Sequence, residues 1–279
     1  MTTAKKLQTI AENEPKIYQA GVEQGLADVA HLNDELEQIL YGTDTGGKSF
    51  YDEFWDSYQL NGERYNYTYG FAHSWDNTIF KPKYDIRPTG DYGDNSMFQF
   101  SRPSPPLDLS AGLAYNGVVL DMSQATRFIS TFDRCEVVNI PPLDAQNCKL
   151  MSLTFQALND HANIDYSLTI NNIREDCVFQ IAFRYCDNLV NLTLTGTIGQ
   201  NGLDLSSSIK LSKASILSVL NALSPTTSGL TVTFSLDAVN KAFETSPGAN
   251  DGSDSQEFRV WTEEGPEDGH RDNWTIALA

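Results

Sequence analysis

Phenylalanine recurs through the middle of this chain with a fixed companion three residues on. Phe132 leads to Cys135, Phe155 to Leu158 and Phe183 to Cys186. Four residues ahead of each stands another apolar side chain: Phe128, Met151 or Phe179. The phenylalanines lie about 23 and 28 residues apart, the length of one unit in several stacked-repeat architectures. The fullest copy is Ala182-Phe183-Arg184-Tyr185-Cys186, which runs on to Leu189, Leu192 and Leu194. In such a string Phe and Cys turn inward, and leucines at spacings of three and two enter a strand. One unit cannot bury its apolar face alone, so it must stack on its neighbours and present a long surface. Phe132, Phe155 and Phe183 are therefore expected in one buried column.

Other patterns frame this region. Residues 4–41 read as helical. Val22, Val29 and Leu36 recur every seven residues, with Leu32 and Ile39 at the second seam position. That seam fits an amphipathic helix packed on its own domain. It equally fits a short self-associating bundle, a homotrimer for instance, that attaches the protein to something larger. Residues 41–48 form a turn-rich linker. Half of the aromatic residues fall between 50 and 100. Phe50 to Tyr58 reads as a short helix, and Tyr65, Tyr67 and Tyr69 alternate as one face of a strand. These tyrosines, with Trp75, either cover the open end of a stack or contact a ligand. A short helix is expected over Leu109 to Tyr115. The candidate turns into strands are Val118 to Asp121, Ile140 to Asp144 and Tyr166 to Ile170.

The C-terminal part changes period. Ser212 to Leu223 is an amphipathic helix, with Ser212 as N-cap and Ile216, Val219, Leu220 and Leu223 on one face. Gly229 to Phe234 reads as a strand, Leu236 to Phe243 as a helix and Asn273 to Leu278 as a strand. Residues 245–257 are rich in Ser, Gly and Asp and read as a mobile loop. The fold expected is α/β: a short leucine-rich-repeat solenoid of parallel strands with an N-terminal helix and mixed α/β caps. Its divisions are 1–41 for attachment or oligomerisation, 42–117 as an aromatic-rich cap, 118–205 as repeats and 206–279 as the C-terminal cap.

Charge and chemistry narrow the function. The net charge is -18 and no Lys/Arg cluster exists, so a nucleic-acid partner is not expected. The N-terminus lacks the apolar core of a signal peptide, and no apolar run reaches the length that spans a bilayer. Cys135, Cys148, Cys177 and Cys186 all lie in the repeat region without the paired spacing of a zinc site. They are expected as small buried residues, with neither metal nor cofactor. His31, His73, His161 and His270 stand apart, and no nucleophile, metalloprotease or dinucleotide motif is present. A non-enzymatic protein is expected.

Two resemblances add to this reading. Ala182, Phe183, Cys186 and Leu189 carry a pattern that resembles the BspA-like family of bacterial leucine-rich repeats. The other copies depart from it at Thr131, Thr154 and Leu158. Met1 to Leu7, Ile10 to Glu14, Tyr51 to Asp56, Phe80 to Ile86, Leu194 to Gly199 and Leu211 to Ile216 are similar to a family of leucine-rich proteins of phages and prophages of Gram-positive gut bacteria. Relative to it, Val22 to Tyr41 is an insertion that lengthens the helix. The resemblance implies a tail-associated or minor structural protein of a virion. Its helix would contact other virion proteins, and its repeats would meet a bacterial surface glycan or protein. The alternative is an interaction protein or adhesin of a bacterial cell, at its surface or in its cytoplasm, with no virus involved. The acidic balance disfavours polyanionic ligands, because like charges repel across an interface.

Overall fold

The computed structural model describes residues 59–60, 64–65, 80–82, 84–90, 96–243 and 273–279. The chain divides into two units, Met1–Ser57 and Tyr58–Ala279. Every described residue belongs to the second. The seam residues Val22, Val29, Leu32, Leu36 and Ile39 lie outside the described residues, as do the expected helices over 4–41 and 50–58. So do Tyr67, Tyr69, Trp75 and the segment 245–257. A two-residue strand β1 (Gln59–Leu60) pairs antiparallel with β2 (Arg64–Tyr65), and this places the backbone of Tyr65.

The remaining described residues are mixed α/β with parallel sheets. Strands β3 (Leu107–Asp108) and β5 (Val137–Val138) form one pair. Strands β4 (Arg127–Ile129), β7 (Leu150–Ser152) and β9 (Val178–Gln180) form a second sheet, with Phe128, Met151 and Phe179 in register. The residues four ahead of each repeat phenylalanine are thus the buried centres of three stacked strands. Strands β6 (Leu143–Asp144), β8 (Tyr166–Ile173) and β10 (Leu189–Gly196) form a third, with Leu143, Ile170 and Leu194 in register. All six of these side chains are buried. Parallel pairing of short strands from successive passes of the chain makes each pass a layer on the one before.

The phenylalanine column is present and longer than the sequence pattern indicates. The rings of Phe132 and Phe155 stack at 5.9 Å between centroids, and those of Phe155 and Phe183 at 5.2 Å. Phe98 extends the stack at 5.2 Å from Phe132, and Phe80 meets it edge-on at 5.6 Å. Phe98 is the centre of an earlier layer that reaches the next through isolated bridges at Ile86–Leu120 and Gly90–Ala125. Its sequence signal was diluted, because Ser101 stands where the later copies carry Cys or Leu and the interval to Phe132 is longer. Each buried ring contributes about 1.5–3 kcal/mol from area alone.

A backbone device seats these rings. Ser96 and Phe100, Ser130 and Arg134, Leu153 and Ala157, and Ile181 and Tyr185 all have positive φ, between 50 and 59°. Each pair brackets its phenylalanine at two residues on either side. Left-handed residues two before and two after each ring aim alternate N–H groups along the stack. Ser96, Phe98 and Phe100 donate to the carbonyls of Ile129, Thr131 and Asp133 at 2.8–3.0 Å. Ser130, Phe132 and Arg134 donate to Ser152, Thr154 and Gln156 at 2.7–2.8 Å, and Leu153, Phe155 and Ala157 to Gln180, Ala182 and Arg184 at 2.9–3.1 Å. The face begun by β3 and β5 uses side chains where strands run out. Asn159 accepts from the N–H of Val137 and donates to its carbonyl, both at 2.7 Å, so its amide stands in for a strand residue. Asn188 makes half of that step, donating to the Asn159 carbonyl at 3.1 Å while its side-chain oxygen accepts from Lys210 at 2.8 Å.

Helices take over beyond β10. Helix α1 (Leu109–Tyr115) lies earlier, between β3 and β4. Strand β11 (Asp204–Leu205) leaves the stacked sheets and pairs with β12 (Leu230–Phe234), which pairs with β13 (Trp274–Leu278). Helix α2 (Lys213–Ala222) packs on β10, and α3 (Leu236–Ala242) follows β12; both lie within one residue of the expected bounds at each end. Ser212 caps α2 by accepting from Ser215, and Ile216, Val219, Leu220 and Leu223 are buried. Cys135, Cys148, Cys177 and Cys186 are all buried free thiols.

Candidate functional site

Among the described residues, the hydrogen-bond ladder has a last rung without a successor. Ile181, Phe183 and Tyr185 occupy the positions whose N–H groups donate forward in the three layers before. Among the described residues, none of these three amides has a hydrogen-bond partner. The next pass of the chain follows β9 only at Gly202. There the backbones approach so closely that a Cβ would collide with the Phe179 carbonyl oxygen. With φ of +106°, Gly202 suits a conformation that other residues avoid. Past it, β11 turns away to join β12, and the two passes separate.

The gap is a cavity of about 230 Å³ lined by Ile181, Arg184, Tyr185, Asp204, Ser206 and Ser207. Each wall follows from its local chain. The Asp204 carboxylate accepts from the N–H of Ser206 at 2.9 Å, which fixes the turn on the far side. Arg184 lies with its guanidinium carbon 4.6 Å from the Tyr185 ring centroid and donates to the Tyr185 hydroxyl at 2.8 Å. Ile181 is 44% and Tyr185 49% exposed. A β-branched residue in the left-handed region is an outlier that costs free energy. At Ile181 no buried side chain compensates it, since the side chain points outward.

The rest of the site is electrostatically quiet. Gln99, Asp133, Gln156 and Arg184 each follow their layer's phenylalanine, so a polar column runs beside the aromatic one and ends at the cavity. Gln99 donates to the Asp133 carboxylate at 2.8 Å. Burial pushes the Asp133 carboxyl above its usual range, against the lowering effect of the Gln99 hydrogen bond. Burial also pushes the Cys186 thiol up to about 12, so it is no thiolate at neutral pH. Among the described residues no three His, Cys, Asp or Glu side chains gather as a metal would require. None of their helices is long and apolar enough to cross a membrane. The cavity wall joins the Arg184 side chain, the Asp204 carboxylate and two serines to the exposed apolar side chains of Ile181 and Tyr185.

A second hollow, of about 290 Å³, lies against α1 between Phe80, Lys81, Asp108, Gly112 and Tyr115. The Lys81 ammonium sits 4.4 Å from the Tyr115 ring centroid and covers that aromatic face. Of the ligand residues expected from sequence, only the Tyr65 backbone is described; Tyr67, Tyr69 and Trp75 lie outside the described residues. Ile181, Arg184 and Tyr185 were missed because they fill the variable positions of the repeat string. One signal could have found them: no fifth phenylalanine follows Phe183 at repeat spacing, and residues 203–208 read Leu-Asp-Leu-Ser-Ser-Ser instead. The layer that ends a stack is the layer with an open side. No family model, curated protein or solved structure matches this chain.

Proposed function

We propose that this chain is a non-enzymatic, virion-associated protein of a tail or fibre that binds a bacterial surface component. Its scaffold is a short leucine-rich-repeat solenoid of the BspA-like kind. The observation that carries the binding reading is the open rung at Ile181, Phe183 and Tyr185 beside exposed apolar side chains. Such a surface suits docking, and no convergent acid, base and nucleophile stands near it among the described residues. The scaffold reading is supported by four stacked phenylalanines and by strands paired in parallel from pass to pass. The virion reading is supported by the resemblance of six separate segments, Met1 to Leu7, Ile10 to Glu14, Tyr51 to Asp56, Phe80 to Ile86, Leu194 to Gly199 and Leu211 to Ile216, to phage leucine-rich proteins. In this reading the N-terminal seam of Val22, Val29, Leu32, Leu36 and Ile39 joins other virion proteins or forms a homotrimer.

The test has two arms. Mass spectrometry of purified particles should detect the protein in stoichiometric amount. Purified protein should bind intact host cells and release no sugar fragments, and Tyr185→Ala should weaken that binding by about tenfold. Absence from the particles would remove the virion assignment. Equal binding by the variant would move the contact away from the open rung, and fragment release would overturn the non-enzymatic assignment.

A further inference from the structure

The unfinished rung also specifies the chemistry of what completes it, an inference that rests on the binding reading above. We propose that residues 181–185 take up a short peptide segment of a partner protein, whose alternate backbone carbonyls accept from Ile181, Phe183 and Tyr185. Three layers of this chain show the complement in detail. Each time, the row of three N–H groups is met by three carbonyls from alternate residues of a polypeptide. The donors at 181–185 have the same backbone conformation, so the surface that matches them is again a polypeptide backbone. Strand addition at an open edge works this way: main-chain hydrogen bonds hold the segment, and side-chain contacts choose it.

Size and charge point the same way. The cavity is smaller than the about 300–1,000 Å³ usual for small-molecule sites. It admits a narrow backbone more readily than a bulky ring system. In the occupied site the three amides would turn the positive ends of their dipoles to the carbonyl oxygens, with Arg184 in the cavity wall, while the overall charge of -18 works against a polyanionic occupant. Ile181 and Tyr185 project four residues apart on either side of the cavity, and Val178 on β9 is also exposed. They supply apolar contacts for alternate side chains of the incoming segment. The strained, exposed isoleucine has no use to the fold that asparagine would not serve better, as Asn139, Asn159, Asn163 and Asn172 adopt the same region.

Hydrogen exchange on the full-length chain tests this. In free protein the amides of Ile181, Phe183 and Tyr185 should exchange about 100-fold faster than those of Ser130, Phe132, Arg134, Leu153, Phe155 and Ala157. A blocked peptide of alternating valine and threonine should slow these three amides and leave the other six unchanged. Chitotetraose, as a neutral glycan probe, should slow none. Ile181→Asn and Tyr185→Asn, both suited to the left-handed backbone, should weaken peptide binding by about tenfold while the six reference amides stay protected. The proposal is overturned if the three amides are already as slow as the six, if the peptide leaves them unchanged, or if the glycan protects them and the peptide does not. Host-cell binding with the three amides unprotected would overturn the peptide alone and leave the binding function. Peptide protection in a protein absent from particles and without host-cell binding would uphold the peptide and remove that function.

Discussion

The stack has two late edges, and they are finished differently. The outer edge of β10 is sealed by serines of α2. Ser215 accepts from the Leu192 N–H at 2.8 Å and donates to the Val190 carbonyl at 3.2 Å, and Ser218 accepts from Leu194 at 2.9 Å. The edge at Ile181, Phe183 and Tyr185 has the same need for partners and receives none among the described residues. Unpaired strand edges invite pairing with other chains, and folds usually cover them. Here one edge is closed by a helix whose serines reach back, and the other opens onto a cavity. The difference teaches that local conformation does not decide whether an edge is covered or left open among the described residues. The next pass of the chain decides it.

Changes to the shared core should matter most, because both edges hang on the phenylalanine column. Phe155→Ala removes the middle ring between Phe132 and Phe183 and should cost about 3–5 kcal/mol in denaturant unfolding. Phe183→Ala, at the last layer, is expected to cost a similar amount and to disorder the open rung. A loss below about 1 kcal/mol at Phe155 would mean the rings do not share one core.

The sealed edge can be opened on purpose. Ser215→Ala leaves the Leu192 N–H and the Val190 carbonyl without that hydroxyl, at a cost of about 1–3 kcal/mol. The Leu192 amide should then exchange faster, approaching the rate at Ile181. Unchanged exchange would show that α2 covers β10 by packing alone.

The open edge should respond in the opposite sense. Ile181→Asn relieves an exposed β-branched residue at φ of 50° and should stabilise the chain by about 1 kcal/mol. Leu153→Asn, at the same backbone position one layer earlier, should destabilise it, because Leu153 is half-buried between layers. If both substitutions changed stability in the same direction, the strain at Ile181 would not be specific to the open rung.

The smallest effect concerns pH. Asp133 has its folded pKa raised above 3.8 by burial. Its folded state therefore holds a proton over a range where the unfolded state has lost it. The resulting contribution to stability is full below the unfolded value and is lost as pH rises through the folded one. Asp133→Asn should flatten that slope and leave exchange at both edges unchanged. An unaltered pH profile would remove Asp133 as its source.

Much of the architecture was legible. The spacing of Phe132, Phe155 and Phe183 marked the column, and the apolar residues four ahead recurred with it. The strands they centre were not among the expected turns into strands at Val118 to Asp121, Ile140 to Asp144 and Tyr166 to Ile170. Ser212 marked the start of α2 through a local hydrogen bond. Three things were not legible. The left-handed pairs around each ring carry residues as different as Ser130, Leu153 and Ile181, so no residue type announces them. The substitution of Asn159 for a strand residue depends on Val137, 22 positions away. The cavity exists because β11 follows β12 in place of β9, a pairing choice invisible in either strand.

The sequence by itself determined the layers, since apolar residues at repeat spacing have no stable place except over one another. It also determined the buried thiols and the helix starts, which depend on near neighbours. Only the tertiary structure decided where the stack stops and which edge stays open. That outcome depends on whether a later segment supplies acceptors to three amides, and hydrogen-bond partners distant in the chain are set by the path of the backbone, not by the residues that await them.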